Sequence, residues 1–231
     1  MSQEQKVTSY GRKLVITIDG PAGAGKSTVS RSLAGRLSYI YLDTGALYRA
    51  VAYAVVKERI SPDDEGCLSN LIGRTKIFLR NTNGRMKIFV NDKDVTEKIK
   101  TEEMGLLASK VSAIPLVREA LLSIQRELAK GSSIVAEGRD MGTVVFPDAD
   151  CKFFLDASVE ERVRRRYNEL DARGSHRDYH EVERDLLIRD RQDRERKTAP
   201  LRVPQDAFII DSTDMTVYEV VEKMVTIVHT T

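Results

Sequence analysis

The sequence predicts an α/β fold, a parallel β-sheet flanked by helices, with a small antiparallel sheet inserted into it. Three features carry this: a strand, glycine-rich turn and helix in succession at Leu14–Leu37; strand and helix signals alternating through the first quarter; and a switch to two-residue periodicity between about 71 and 99. In order, "KLVITID" reads as a buried strand, "KSTVSRSLAGRL" as a helix, "YIYLD" as a second strand and "ALYRAVAYAVVKE" as a long apolar helix. From about Leu71 to Ile99, "TKIFLR" and "RMKIFVN" alternate around the turn-rich "NTNG" and predict an antiparallel hairpin. Helical segments follow from about Thr101 to Lys130, broken at Pro115. The strands "SSIVAEG", "CKFFLD" and "AFIID" return to the first style, with helices after the last two. Val159 to Arg196, between those two strands, is dense in Arg, Asp and Glu and has too few apolar residues to be core throughout.

At 231 residues the chain is long enough for one domain with insertions or two small ones. Its 37 basic residues nearly balance 35 acidic ones, for a formal charge of +2, which is no polyelectrolyte signature and gives no reason to expect a nucleic-acid partner. Two cysteines, Cys67 and Cys151, have neither disulfide-framework nor metal-ligand spacing, so a reduced, cytoplasmic setting is expected. The opening "MSQEQKVTSYGRK" is polar, without the apolar core of a leader, and no run approaches a membrane span. His176, His180 and His229 show no metal-ligand grouping and read as surface residues.

Gly20, Gly25, Lys26 and Ser27 satisfy the spacing G-x-x-x-x-G-K-[ST] between a predicted strand and a predicted helix. Glycines there let successive backbone amides point inward, the helix N-terminus adds positive potential, and a lysine reaches the terminal phosphates. Gly20, Pro21, Ala22, Gly23, Ala24, Gly25, Lys26, Ser27 and Thr28 are thus the expected ATP-phosphate loop, with the Ser27 hydroxyl on Mg²⁺.

A phosphate cradle leaves three classes open: a kinase of small molecules, an NTPase switch or motor, and a nucleotide-binding regulator. A switch or motor calls for an acidic pair ending a later strand or a guanine-reading N-K-x-D, and neither is found. A kinase calls for arginines that close over the transferring group, and "RDLLIRDRQDRERK", Arg184 to Lys197, offers them.

"IDGPAGAGKST", "YLDTGALYRA", "VREALL", "GRDMGTVVFPDA", "FLDAS" and "RDRQDRERKTAPL" together resemble the bacterial cytidylate kinases, in the family's order and across nearly the whole chain. The resemblance implies a P-loop kinase that converts ATP and CMP, or dCMP, into ADP and CDP, or dCDP, in pyrimidine nucleotide metabolism, with Mg²⁺ and acting as a monomer. It implies a core of residues 1–70 and 111–231, a lid at about 171–200, and a monophosphate-binding insertion at 71–110. Carried over by position, Thr44, Gly45, Tyr48 and Arg49 face the acceptor, Arg49 on its phosphate. Ser109, Arg118 and Asp140 match positions that hold the cytosine, and Arg139 one beside the acceptor phosphate. Arg189, Asp193 and Arg196 match lid residues that bind the sugar and phosphates. Lys26, Arg139, Arg189 and Arg196 form the implied catalytic set. Gln192, where some members carry Arg, and Leu116 depart from the pattern, while Arg162, Arg165 and Arg166 loosely match a lid stem that contacts the nucleotide base.

Several of these residues have structural alternatives. Tyr48 fits a core position equally well, Arg139 and Asp140 could pair with each other, and the run 184–197 could be a solvated helix face laced with i, i+4 pairs. Asp19 and Asp43, each at a strand end, are candidates for the metal's outer shell or for structural hydrogen bonds. The rival activities are phosphorylation of shikimate, gluconate or another nucleoside monophosphate.

Overall fold

The computed structural model describes residues 13–82 and 85–231, without the side chains of Asn81 and Arg85. The polar segment before position 13 and the tip of the "NTNG" turn lie outside the described residues. Five strands form a parallel sheet in the order β2-β6-β1-β7-β8: β1 (Val15–Asp19), β2 (Ile40–Asp43), β6 (Ile134–Gly138), β7 (Cys151–Asp156) and β8 (Phe208–Asp211). In β1, Ile16 and Ile18 on one face and Thr17 and Asp19 on the other are all fully buried. That explains why the strand reads as a continuous run, since a central parallel strand is covered on both faces.

Helix α1 (Lys26–Leu37) starts directly from Gly25, whose φ of 87° is a left-handed conformation that glycine adopts without strain. With α8 (Val217–Thr230) it covers one face of the sheet, burying Val29 and Leu33 against Ile16, Phe153 and Met224. Each such side chain contributes about 1.5–3 kcal/mol. The α2 helix (Thr44–Lys57) is capped by the Asp43 carboxylate, which accepts the Ala46 amide at 3.0 Å. Its apolar face joins α3 (Glu65–Arg74), α4 (Glu102–Val111) and α5 (Pro115–Gly131) in a second core. Pro115 is the first residue of α5, where its missing N–H goes unneeded.

The hairpin is present as β3 (Ile77–Thr82) and β4 (Arg85–Val90), paired antiparallel, with the short β5 (Lys93–Asp94) added at the edge of β4. Phe78 and Phe89 stack across it at 5.1 Å. Ile88 and Val90 point from it into the second core, which anchors the small sheet to α2. The acidic and basic stretch forms α6 (Val159–Ala172) and α7 (Tyr179–Glu195). Val163 and Leu186 of this pair pack on Ala22. No helix among the described residues is long and apolar enough to cross a membrane.

The short β5 and a 3-10 turn at Lys98–Lys100 were not anticipated, and neither were two further helical elements. The α3 helix is short and buries only Leu68 and Leu71, leaving almost no periodicity to read. A π-helical turn at Met141–Val145 follows β6 and is held from outside, by Asp19, whose carboxylate accepts the Met141 and Gly142 amides at 2.8 Å each.

Candidate active site

A cavity of about 740 Å³ opens where the carboxyl ends of β1, β2 and β6 meet α4, α6 and α7. Its wall contains residues 22–28 of the glycine-rich loop, Thr44, Gly45, Tyr48 and Arg49 of α2, Ser109 of α4, Arg139 and Asp140 after β6, and Arg189, Asp193 and Arg196 at the end of α7. Gly20, Pro21 and Arg118 of the expected set stand outside that wall.

The glycines of the loop are required by packing as well as by any phosphate. A Cβ on Gly20 would stand 2.0 Å from the Leu155 carbonyl oxygen, and one on Gly23 would stand 2.7 Å from that of Arg162. The loop is also clamped at Ala22, whose amide donates to Asp190 Oδ1 at 3.1 Å while its carbonyl accepts from the Arg162 guanidinium at 2.9 Å. Arg162 and Asp190 form a buried ion pair with each other, so α6, α7 and the loop meet at one residue. Arg162 therefore holds the loop and does not face the cavity, whereas Arg165 and Arg166 do. The run 184–197 is no uniform solvated face, because Asp190 and Asp193 are buried.

Positive charge converges on the cavity. Lys26 Nζ donates to the Pro21 carbonyl at 2.6 Å, and burial, with Arg139 and Arg189 nearby, holds its pKa well below the usual lysine range. Arg189 has a buried Nε without a hydrogen-bond partner, and burial and the Arg139 charge push its pKa down to about 10. Arg139 donates to Asp193 at 2.7 Å, and although burial opposes it, that carboxylate raises its pKa. Arg49 pairs with Asp43 at 2.8 Å and leaves its own Nε unpartnered. Cations this close, desolvated and only partly compensated, form a place where a polyanion is stabilised.

At the other end of the cavity, Asp140 lies between Arg118 and Arg196. Burial raises its pKa, and the two arginines offset only part of that. Arg118 thus braces Asp140 from behind the wall, its guanidinium 5.6 Å from the centre of the Tyr48 ring. Tyr48 serves the second core and the cavity at once. Thr44 Oγ1 donates to the Glu137 carbonyl at 2.7 Å, and Ser109 donates to Gln192 at 3.3 Å. His176, His180 and His229 are exposed.

Glu137 was missed in the sequence. It is the penultimate residue of β6, is buried in the cavity wall, accepts from Tyr41 through Oε1 and keeps a buried Oε2 without a partner. Burial and the Asp43 charge raise its pKa. An acid near the end of an otherwise apolar strand beside the glycine-rich loop was the available signal. Asp19, by contrast, is fully committed to the π-helical turn, and Asp43 to capping α2 and holding Arg49.

The family model described as cytidylate kinase matches residues 16–230. The chain belongs to the cytidylate kinase family. Among its relatives, the cytidylate kinase of Geobacter sulfurreducens is 48% identical over 224 residues, covering 96% of each chain. That of Caldicellulosiruptor bescii is 46% identical over 213 residues, covering 92% of this chain and 94% of its own. A crystal structure of an uncharacterized protein from Eubacterium ventriosum superposes with a TM-score of 0.54 at 12% identity, over 95% of this chain and all of that one, and shows the fold alone. As a member of this family the protein is an ATP-dependent nucleoside monophosphate kinase, and phosphoryl transfer of this kind generally needs a divalent metal.

Proposed function

We infer that the protein transfers the γ-phosphoryl group of ATP to CMP and dCMP, giving ADP and CDP or dCDP. Family membership supports this, and one observation carries the site assignment: the glycine-rich loop with Lys26 and the Arg49, Arg139 and Arg189 guanidiniums line one cavity with Asp140 and Ser109 at its far end. On this reading the loop cradles the ATP phosphates, Arg49 and Arg139 hold the acceptor phosphate, and Asp193 and Arg196 hold its sugar. Residues 71–110 and the lid at about 171–200 are the acceptor-binding and closing parts. The enzyme acts in the cytoplasm, as a monomer, on free nucleotides.

The chemistry follows from charge. A nucleoside monophosphate has its second pKa near 6, so at neutral pH it is largely a dianion and a competent nucleophile without a general base. The obstacle is repulsion between two polyanions. Lys26, Arg139 and Arg189 offset it, and arginine's planar fork aligns two phosphate oxygens at once. Closing the lid over them excludes water and suppresses ATP hydrolysis.

Mg²⁺ is the divalent ion we propose, and the residues fit it: the unpartnered Oε2 of Glu137 is an acceptor in the cavity wall, which also contains the Ser27 hydroxyl. Ser27 would ligate the ion and Glu137 would accept from its waters, whereas Asp43 is otherwise engaged. When bound, the ion would supply positive charge that offsets the negative charge of the donor phosphates.

Base choice rests on Asp140. Its carboxylate accepts from the cytosine amino group, which uracil replaces with a carbonyl acceptor. The test is ADP release in a coupled assay with CMP, dCMP, UMP, AMP, shikimate and gluconate. CMP and dCMP are expected to stimulate it most, and preferential use of a hydroxyl acceptor would overturn the reading. In Asp140→Ala, the CMP-to-UMP ratio of kcat/KM should fall by about 5- to 150-fold, the value of one base contact. Equal proportional losses for both nucleotides would mean that Asp140 orders the site without reading the base.

A further inference from the structure

Ser112 belongs to none of the motifs that mark the family, yet it closes a ring of four hydrogen-bonded residues. It is the C-terminal cap of α4, its amide bonded to the Ala108 carbonyl at 2.9 Å, and it is buried. Its hydroxyl donates to the Ser109 carbonyl at 2.8 Å. A hydroxyl has one proton, so toward its other neighbour the Ser112 oxygen can only accept, and that neighbour is the Arg196 guanidinium at 3.1 Å. The Ser112 carbonyl accepts from Arg118 at 3.0 Å. Arg118 and Arg196 then take one carboxylate oxygen each of Asp140, which closes the ring.

Three acceptors hold Arg196 in this position. It follows the last residue of α7, its side chain is 6% exposed, and its Nε is turned to the Ala199 carbonyl at 2.7 Å. Ala199 has a φ of 49°, an uncommon conformation for a residue with a side chain. The contact to Asp140 is long, at 3.5 Å, so the Ser112 hydroxyl is the closer acceptor on the acceptor-binding side of the cavity. Gln192, one turn earlier on α7, accepts from the Ser109 hydroxyl, which makes a second tie between α4 and the lid.

We propose that Ser112 is a positioning residue: its hydroxyl fixes Arg196 of the lid against Asp140 of the base site, so that holding the base and seating the end of the lid are one arrangement. This rests on the assignment of Asp140 and Arg196 to the CMP site. Removing the hydroxyl leaves the fold's backbone bonds intact but strands one edge of a buried guanidinium.

The test is a double-mutant cycle on steady-state kinetics with Ser112→Ala, Arg196→Ala and the pair. In Ser112→Ala the KM for CMP should rise about 10-fold, the effect of losing one hydrogen bond to a charged group, while the KM for ATP stays within about 2-fold. In the Arg196→Ala background the same substitution should change kcat/KM by less than about 2-fold, because the hydroxyl acts through that guanidinium. Losses that multiply, or a KM for ATP that rises equally, would overturn the proposal. Ser112→Gly, which also lacks the hydroxyl and occupies less space, must show the same split, so the proposal does not depend on one variant folding. The CMP-to-UMP ratio of Asp140→Ala tests the base assignment separately: if that ratio does not move while the cycle remains non-additive, the base reading fails and the coupling stands.

Discussion

Replacing Asp190 with Ala should cost the protein more stability than any other single carboxylate deletion in α7. Asp190 is 5% exposed and Arg162 3% exposed, and they pair inside the junction of α6, α7 and the glycine-rich loop. Deleting the carboxylate leaves a buried guanidinium without its close counter-ion, which costs about 3–5 kcal/mol. The lost acceptor of the Ala22 amide pushes toward the upper end of that range, and Asp156, 4.0 Å from Arg162 and partly exposed, pushes toward the lower. For a chain of this size each kcal/mol lowers Tm by about 2–4 °C, so a fall of about 6–20 °C is expected by circular dichroism. The KM for ATP should rise as well, because Ala22 loses one of its two anchors. Replacing both partners, Arg162→Met with Asp190→Leu, should recover most of the stability and none of the ATP affinity, since no charge is then stranded but Ala22 is held by neither. A melting temperature for Asp190→Ala within about 2 °C of the parent, with KM for ATP unchanged, would refute the clamp.

Two further outcomes follow from the site. Lys26→Ala should fold and lose at least about 10²-fold in kcat, the scale of one preorganised electrostatic contact; turnover retained in steady-state assays would remove Lys26 from the donor site. Asp19, pushed up to about 6 chiefly by burial, should titrate near that value when its carboxyl carbon is followed by NMR. Because its folded pKa lies above the unfolded 3.8, the native state holds a proton that the unfolded chain has lost between about pH 4 and 6. Its contribution to stability therefore falls as pH rises through that window and is flat above it, and a midpoint below 4 would show that the carboxylate is not desolvated.

What the sequence disclosed follows from how local each cause is. The β1 strand, the loop and α1 are legible because a buried parallel strand, glycine spacing and a helix start are all written in contiguous residues. The hairpin is legible because two short runs of strand-favouring residues, 77–79 and 88–90, stand on either side of the turn-rich "NTNG". The π-helical turn was not, because the group that satisfies its amides, Asp19, lies more than a hundred residues earlier. In α7 the charged run gives no hint that Asp190 and Asp193 are buried, since their partners Arg162 and Arg139 come from other elements. Resemblance loosely matched Arg162 to a nucleotide contact, but its Nε and Nη1 donors are taken by the Ala157 and Ala22 carbonyls and the buried Asp190 carboxylate, which hold the guanidinium against the loop. Glu137 and Ser112 escaped for the same reason: an acid near a strand end or a serine ending a helix is ordinary until its neighbours are known.

If the loop holds the donor and Arg139 the acceptor, as proposed, the register of two strands acts as a ruler for the reaction. Asp19 at the end of β1 lies opposite Gly138 at the end of β6, and the donor loop begins one residue past the first while Arg139 follows the second. The two halves of the site therefore start about 4.8 Å apart, a distance set by a ladder of backbone hydrogen bonds and not by any side chain. A slip of one residue would displace one half by about 3.3 Å and turn its side chains to the opposite face, well outside the tolerance of an in-line approach. Substitutions in the hairpin or after Arg139 leave that ruler untouched. Acceptor preference can thus drift in such a scaffold while the gap across which the phosphoryl group moves stays fixed.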